Sequence, residues 1–291
     1  MISRLRARQK MDQAFIDSTT EQLEKRIQQK TLVLPMLPQV TIQVLSLVND
    51  VNSDAMALTK LIQSDPALAG HVMRIANSAA YSPTAKMTSL QQAIARLGMQ
   101  NMADISMAAT MGPALFDAKG FESLIKEIWQ SSLATAVWAR EIARQGRRNV
   151  ESTFLCGLLF QIGRPVVLQT VLDIAGEKGE SPKAEDVSFL MEKYQTQVGS
   201  VLAEHWQLPL PVSHTIGGVE IDGPAKGSQD IVDTIKAAKL FSACTLSNQQ
   251  YDISVLSTES AVIALNLYTD DVEKLLEKAD SVHETIKELS F

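Results

Sequence analysis

Side chains able to do chemistry are sparse in this 291-residue chain, which has four histidines and two cysteines. His205 and His214 bracket the segment WQLPLPVS and are the only histidine pair close in sequence. To hold a transition metal they would need a carboxylate or thiolate beside them, because the ion demands several lone pairs together with negative charge. Glu204 and Glu220 are the nearest acids, and their spacing fits no helical metal motif. His71, one place before Val72, and His283, in an acidic terminal segment, are expected at the surface. Cys156 and Cys244 lie far apart in apolar settings and read as two reduced, buried thiols. No glycine-rich phosphate loop, nucleophile elbow or HExxH segment is present. Gly217 and Gly218 read as backbone freedom before a turn.

The polar residue that most needs explaining is Gln161. It stands in Phe154 to Leu168, FLCGLLFQIGRPVVL, a stretch too apolar all round to lie on a surface. Buried there, its amide must find hydrogen-bond partners. Gly163, Arg164 and Pro165 read as punctuation, since glycine is favoured past a helix end and proline at the start of the next. The expectation is a helix over about 152–162, a sharp corner, and a second helix from about 165.

The elements that must position this stretch are helical. Ser18 and Glu21 form a capping-box pattern for a helix over about 19–29, behind a basic segment of Arg4, Arg6, Arg8 and Lys10 that reads as a solvated leader or partner-contacting arm. Val40, Val44, Leu47 and Val48 repeat at helical spacing after Pro38. Ser53 suits the cap of DAMALTKLIQ, Asp65-Pro66 opens another helix, and Ser89 precedes LQQAIARL, which Gly98 closes. MQNMADISMAATM continues to Met111, and Gly112, Pro113 and Gly120 mark the best internal boundary. A long helix then runs from Phe121 to Arg144, closed by Gln145, Gly146, Arg147 and Arg148. Beyond the opening stretch, helices are expected at about 183–194, 196–206, 210–221, 228–247, 257–267 and 270–289, with GEKGESPK and DGPAKGSQD as loops. Strand runs and hairpin signals are missing, so the chain reads as all-α.

Composition sets the outer limits. Apolar residues make up 45%, enough for a sizeable core, and the net charge of −6 argues against a nucleic-acid binder working by bulk electrostatics. No apolar run approaches ~18 residues, and Met1 to Lys10 lacks the apolar centre of a signal peptide. The expected location is a reducing cytoplasm, without membrane association.

Several segments, in order, resemble the HDOD family, the HD-related output domains of bacterial signalling proteins. They are LPMLPQV, QSDPALAGHVMRIANSAAYSPTAKMTSLQQAIARLG, WQSSLA, FLCGLLFQIG and LAEHWQLPLPV, which together cover about 32–245. The resemblance implies a two-subdomain helical fold with an HD-like C-terminal core. With it the chain divides into a leader over 1–30, an N-terminal helical subdomain over 31–116, an HD-like subdomain over 117–250 and an extension over 251–291. The wider HD superfamily hydrolyses phosphate esters with divalent metals held by a helix histidine, a His-Asp doublet and a later aspartate. Against G-L-L-H-D-I-G this chain reads Gly157, Leu158, Leu159, Phe160, Gln161, Ile162 and Gly163. By the same alignment Ser131 takes the first histidine's place and Lys239 the last aspartate's. Phenylalanine offers no ligand atom, an amide is a poor substitute for a carboxylate, and an ammonium would repel the ion.

The resemblance therefore implies a non-catalytic signalling module with no metal and no cofactor, one that binds a signalling protein or a small ligand. Ser131, Ser132 or Lys239 would satisfy Gln161, and the four altered positions would form a filled polar network or a ligand pocket. Arg74, Asn77, Ser78 and Tyr81 match residues of family members and are expected at a helix end and at the subdomain junction or partner surface. The competing expectation is a metal-dependent phosphohydrolase with relocated ligands such as His205 and His214, acting on a phosphate ester or cyclic nucleotide. A third is an oligomerisation scaffold built on the first or last helix.

Overall fold

Where the sequence places a short polar side chain before an apolar period, a helix begins. In the computed structural model, which describes residues 12–50, 52–78, 81–82, 86–111, 115–219, 229–247 and 251–289, every regular element among the described residues is α-helical. They are α1 (Gln13–Gln28), α2 (Gln39–Asn49), α3 (Ala55–Gln63), α4 (Pro66–Ala76), α5 (Leu90–Leu97), α6 (Met99–Thr110), α7 (Glu122–Gln145) and α8 (Val150–Leu159). There follow α9 (Gly163–Lys178), α10 (Ala184–His205), α11 (Leu210–Gly218), α12 (Gln229–Ser247), α13 (Ile253–Thr258), α14 (Ser260–Ala264), α15 (Thr269–Leu276) and α16 (Ala279–Leu289). Arg4, Arg6, Arg8, Lys10, Gly112, Pro113, Glu220 and most of the DGPAKGSQD loop lie outside the described residues.

Asp65 accepts from the backbone N–H groups of Ala67 and Leu68 at 3.0 Å each, and Ser89 accepts from Gln92 at 3.1 Å, so α4 and α5 start where expected. Gly98, at φ 83°, separates α5 from α6 in a conformation that side-chain-bearing residues rarely adopt. Two caps differ from expectation. Asp54, not Ser53, caps α3, and Asp12, not Ser18, caps α1, which therefore starts six residues earlier than expected. Ser18 instead donates to the carbonyl of Phe15 inside the helix and accepts from Lys178 Nζ.

Three other boundaries need correction. The segment expected as two helices around residue 195 is the single helix α10, because nothing there breaks it and Gln195 is buried against a neighbour. Conversely, the two expected C-terminal helices are four short ones, with Asn266 in the left-handed region between α14 and α15. Gly217 and Gly218 lie within α11 rather than in a turn.

Helices α2 to α6 pack on one another, and α7, α8 and α12 form the centre of a second group completed by α9, α10 and α11. Trp138 on α7 donates to Thr245 on α12 at 2.8 Å and packs its ring against Phe241 at 5.0 Å. The two groups meet where α6 touches α8 and α16 touches α4. Neither the first nor the last described helix stands apart, since α1 packs on α9 and α10 while α15 and α16 return onto α7.

The Phe154–Leu168 stretch crosses this centre. Thr153–Lys178 is long and apolar enough to span a membrane by length and composition, but 83% of its most apolar window is buried inside the molecule, where it forms core. Its corner is gentler than the sequence suggests. The turn is residues 160–162, Ile162 keeps right-handed helical dihedrals, and Gly163 opens α9 instead of ending α8. The glycines have another purpose. A Cβ on Gly157 would stand 2.6 Å from the Cα of Ala136, and one on Gly163 would stand 1.9 Å from the carbonyl oxygen of Gln195. Both mark places where two helix backbones touch, so the missing side chain sets the spacing.

Candidate functional site

Three helices bring the altered positions into one neighbourhood. Residues 160–162 join α8 to α9, α7 passes beneath them carrying Ser131 and Ser132, and α12 carries Lys239. Gln161 is 5% exposed, and its amide nitrogen donates twice, to the carbonyl of Ile128 and to Ser132 Oγ, each at 3.0 Å. Of the three partners expected, Ser132 is the one used. Ser131 is half-buried on α7 and makes no bond to Gln161, while Lys239 places its ammonium 5.4 Å from the centroid of the Phe160 ring. That is the range in which an aromatic face attracts a cation.

Gln161 borders a cavity of about 10 Å³ lined by Phe116, Ile125, Ile128, Trp129, Ser132, Leu158, Ile162 and Pro165. This is about the space of one water molecule and far below that of a drug-sized ligand. Trp129 Nε1, close by, is buried without an acceptor. The residues present do not fit a divalent cation. Phe160 has no lone pair, Gln161 turns N–H donors toward α7, and Lys239 adds positive charge. Among the described residues no three of His, Cys, Asp and Glu come together in an arrangement that could hold a metal ion. His205 is exposed at the end of α10, His214 is half-buried on α11, and His71 and His283 are half-buried rather than fully at the surface.

A second polar cluster lies where the two helix groups meet. Asn77, which ends α4, donates to the carbonyls of Met73 at 3.0 Å and Met87 at 2.9 Å and accepts from the Met87 N–H at 2.6 Å. This fixes the chain that returns toward α5. Ser78 is buried and Arg74 is exposed. The Tyr81 ring packs edge-on against Phe154 of α8, with centroids 6.5 Å apart, and lies under the guanidinium of Arg140 at 4.2 Å. Arg140, on α7, is only 1% exposed. Asp104 of α6 is equally buried and accepts from Gln100 at 3.2 Å.

Burial dominates the titration of this cluster. It raises the Tyr81 hydroxyl above its usual range, Asp104 adds to the rise, and Arg140 opposes it. Burial pushes the Cys156 thiol up to about 12, although a hydrogen bond with Thr215 favours the thiolate, so this sulfur is no nucleophile at neutral pH. Burial would raise Glu141 too, but Arg140, Lys278 and Arg144 outweigh it and hold the carboxylate below its ordinary range. The clue in sequence was a charged residue on a buried helical face. Arg140 follows Ala136 and Val137 at core spacing, as Asp104 does in MADISMA, and neither was singled out as a site residue.

The HDOD-domain family pattern matches residues 34–219, well over half the chain and spanning both helix groups. This protein belongs to the HDOD family. A Treponema pallidum protein of uncharacterised function is 22% identical over 210 residues, which span 69% of this chain but only 40% of that longer protein. A Shewanella amazonensis structure, from a candidate metal-dependent phosphohydrolase, superposes with a TM-score of 0.73 at 19% identity and covers 94% of this HDOD chain and 99% of its own. A candidate signal-transduction protein from Marinobacter aquaeolei is similar at TM-score 0.60 and 20% identity, over 95% of this chain and 66% of its own. Identities this low show the shared HDOD fold.

Proposed function

We propose that this HDOD protein is a non-catalytic regulatory module of bacterial signal transduction that works by binding a partner. The observation that carries the reading is the state of residues 160 and 161. Gln161 spends both amide N–H groups inside the core and Phe160 lies beneath a lysine ammonium, so the positions that the resemblance sets against the HD metal doublet hold packed side chains. The cavity that Gln161 borders, about 10 Å³, is too small for a substrate. Binding of a signalling protein is favoured over a small ligand at this position for the same reason. The likeness to a candidate signal-transduction protein points the same way.

The test is metal analysis of protein purified without chelator, together with hydrolysis assays on phosphate monoesters and diesters. The expected result is no stoichiometric divalent metal and no turnover above a blank. One tightly bound transition-metal ion per chain, with turnover abolished by Gln161→Ala, would overturn the reading. Restoring only the doublet, in the Phe160→His and Gln161→Asp double variant, is expected to leave metal binding absent, because Lys239 and Ser131 remain; stoichiometric metal in that variant, measured by elemental analysis, would show the site nearly intact.

A further inference from the structure

The junction cluster contains a feature that packing alone does not explain. Arg140 is 1% exposed, and its Nε and both terminal nitrogens are buried without a hydrogen-bond acceptor. Glu141 Oε1 lies 3.5 Å from the Arg140 Nε, close enough for attraction but not a hydrogen bond, and that carboxylate is already bonded by Arg144 at 2.5 Å and Lys278 at 2.9 Å. The Tyr81 ring covers one guanidinium face and its hydroxyl interacts with Arg140 at most weakly, outside good hydrogen-bond geometry, while the Ser78 hydroxyl is buried without a partner.

A guanidinium carries five N–H donors in a fixed planar fork. Leaving them without well-formed hydrogen bonds away from water is among the costliest arrangements a fold can hold, and such groups in native proteins call for an ion, a water or a functional role. The fork matches the paired oxygens of a carboxylate or phosphate, which a lysine at this place would not. Local charge agrees, because Arg140, Arg144 and Lys278 all lie within 3.5 Å of the single carboxylate of Glu141.

We infer that Arg140, flanked by the hydroxyls of Tyr81 and Ser78, anchors an oxyanion-binding site between the two helix groups, for a small ligand bearing a phosphate or carboxylate. Because the guanidinium nitrogens are shielded from solvent, the ligand enters as the Tyr81 ring moves off Arg140. Binding is thereby coupled to the fit of Tyr81 on Phe154 of α8. The inference is independent of residues 160 and 161 and holds whether or not the protein is an enzyme.

The experiment uses the full chain, titrated calorimetrically and melted thermally in inorganic phosphate, in acetate, and in chloride at matched ionic strength. Phosphate, acetate or both are expected to give a binding heat and a melting temperature that rises with concentration, where chloride gives neither. Arg140→Met, which keeps the apolar stem, is expected to weaken that response about tenfold or more. Should Arg140→Met fail to fold, the Ser78→Ala and Tyr81→Phe double variant, which removes only the two hydroxyls and keeps the ring, is expected to weaken it several-fold. Identical behaviour of the unmodified protein in all three salts would overturn the proposal. So would an oxyanion response that survives unchanged in the folded variant, since binding would then lie elsewhere.

Discussion

At the scale of the residue, Gln161 shows how an amide is satisfied inside an apolar core. Its two donors are matched by the Ile128 carbonyl and the Ser132 hydroxyl, and the surrounding side chains are apolar. Gln161→Leu would keep the volume, leave Ile128 its helical bond and deprive Ser132 of its partner. The expected loss is about 1–3 kcal/mol, the cost of a buried polar group left unsatisfied. Adding Ser132→Ala should recover part of it, because removing both members of a buried pair is cheaper than removing one. Urea unfolding followed through the fluorescence of Trp129, which lines the same cavity, measures both. A double variant no more stable than the single one would contradict this account. That residue 160 offers no ligand atom was legible in sequence, because a phenylalanine carries its lack of lone pairs wherever it sits. The choice of Ser132 over Ser131 and Lys239 was not, since adjacent helical positions point about 100° apart and only the register of α7 against α8 decides between them.

At the scale of the element, helices were readable from period and caps, but their breaks and crossings were not. Asp65 and Ser89 announced their helices because a short polar side chain before an apolar period has one strong use. Gly163 misled because glycine has several, and here it serves close approach. Gly163→Ala would drive a methyl group to 1.9 Å from the Gln195 carbonyl and 2.7 Å from the Gly199 nitrogen, both backbone atoms that cannot step aside. A loss of about 3 kcal/mol or more is expected. Gly176→Ala, on the exposed side of the same helix with nothing within 4 Å of the new methyl, should instead stabilise by about 0.5–1 kcal/mol. Thermal melts of the pair separate the two roles, and a comparable effect of both would refute the contact.

The tie between α7 and α16 belongs to the same scale. Glu141, 7% exposed by its side chain, joins Arg144 to Lys278, and the break between α15 and α16 is what lets Lys278 reach it. Its carboxyl titrates below the ordinary 4.5 in the folded state. A depressed acid contributes stability above its unfolded value and loses it as pH falls through the folded one. Glu141→Gln should therefore cost about 2–4 kcal/mol at pH 7, with Arg140 left less compensated. The two stability curves should converge as pH falls through the depressed folded value, below which the native side chain is itself neutral. Curves that stay parallel through acid would assign the loss to packing.

At the scale of the whole molecule, the matter to settle is whether the first helix is an arm or part of the body. The sequence suggested a leader, since the apolar points of residues 1–30 are few and charges surround them. Those few are spaced to form one face, and Phe15, Ile16, Leu23 and Ile27 are all buried against the second helix group. Polar ties rim that face. Arg26 donates to both oxygens of Glu177 at 2.8 Å, Tyr194 donates to Glu24 at 2.5 Å, and the Asp12 N–H donates to Asp186 at 3.0 Å. Exposed pairs such as Arg26 with Glu177 add little, so the burial carries the energy. At about 1.5–3 kcal/mol for each fully buried large apolar side chain, the face represents roughly 6–12 kcal/mol before ordering costs, comparable with the net stability of a whole domain. Leu23→Asp, which places a charge at a position of zero exposure, should therefore do more than fray one helix. It should expose the apolar surface of α9 and α10, lower the melting temperature of the entire chain and promote self-association, all visible by differential scanning calorimetry and light scattering. A melt that keeps its main transition and loses only a small early one would make α1 a detachable arm, available to a partner without cost to the rest of the fold.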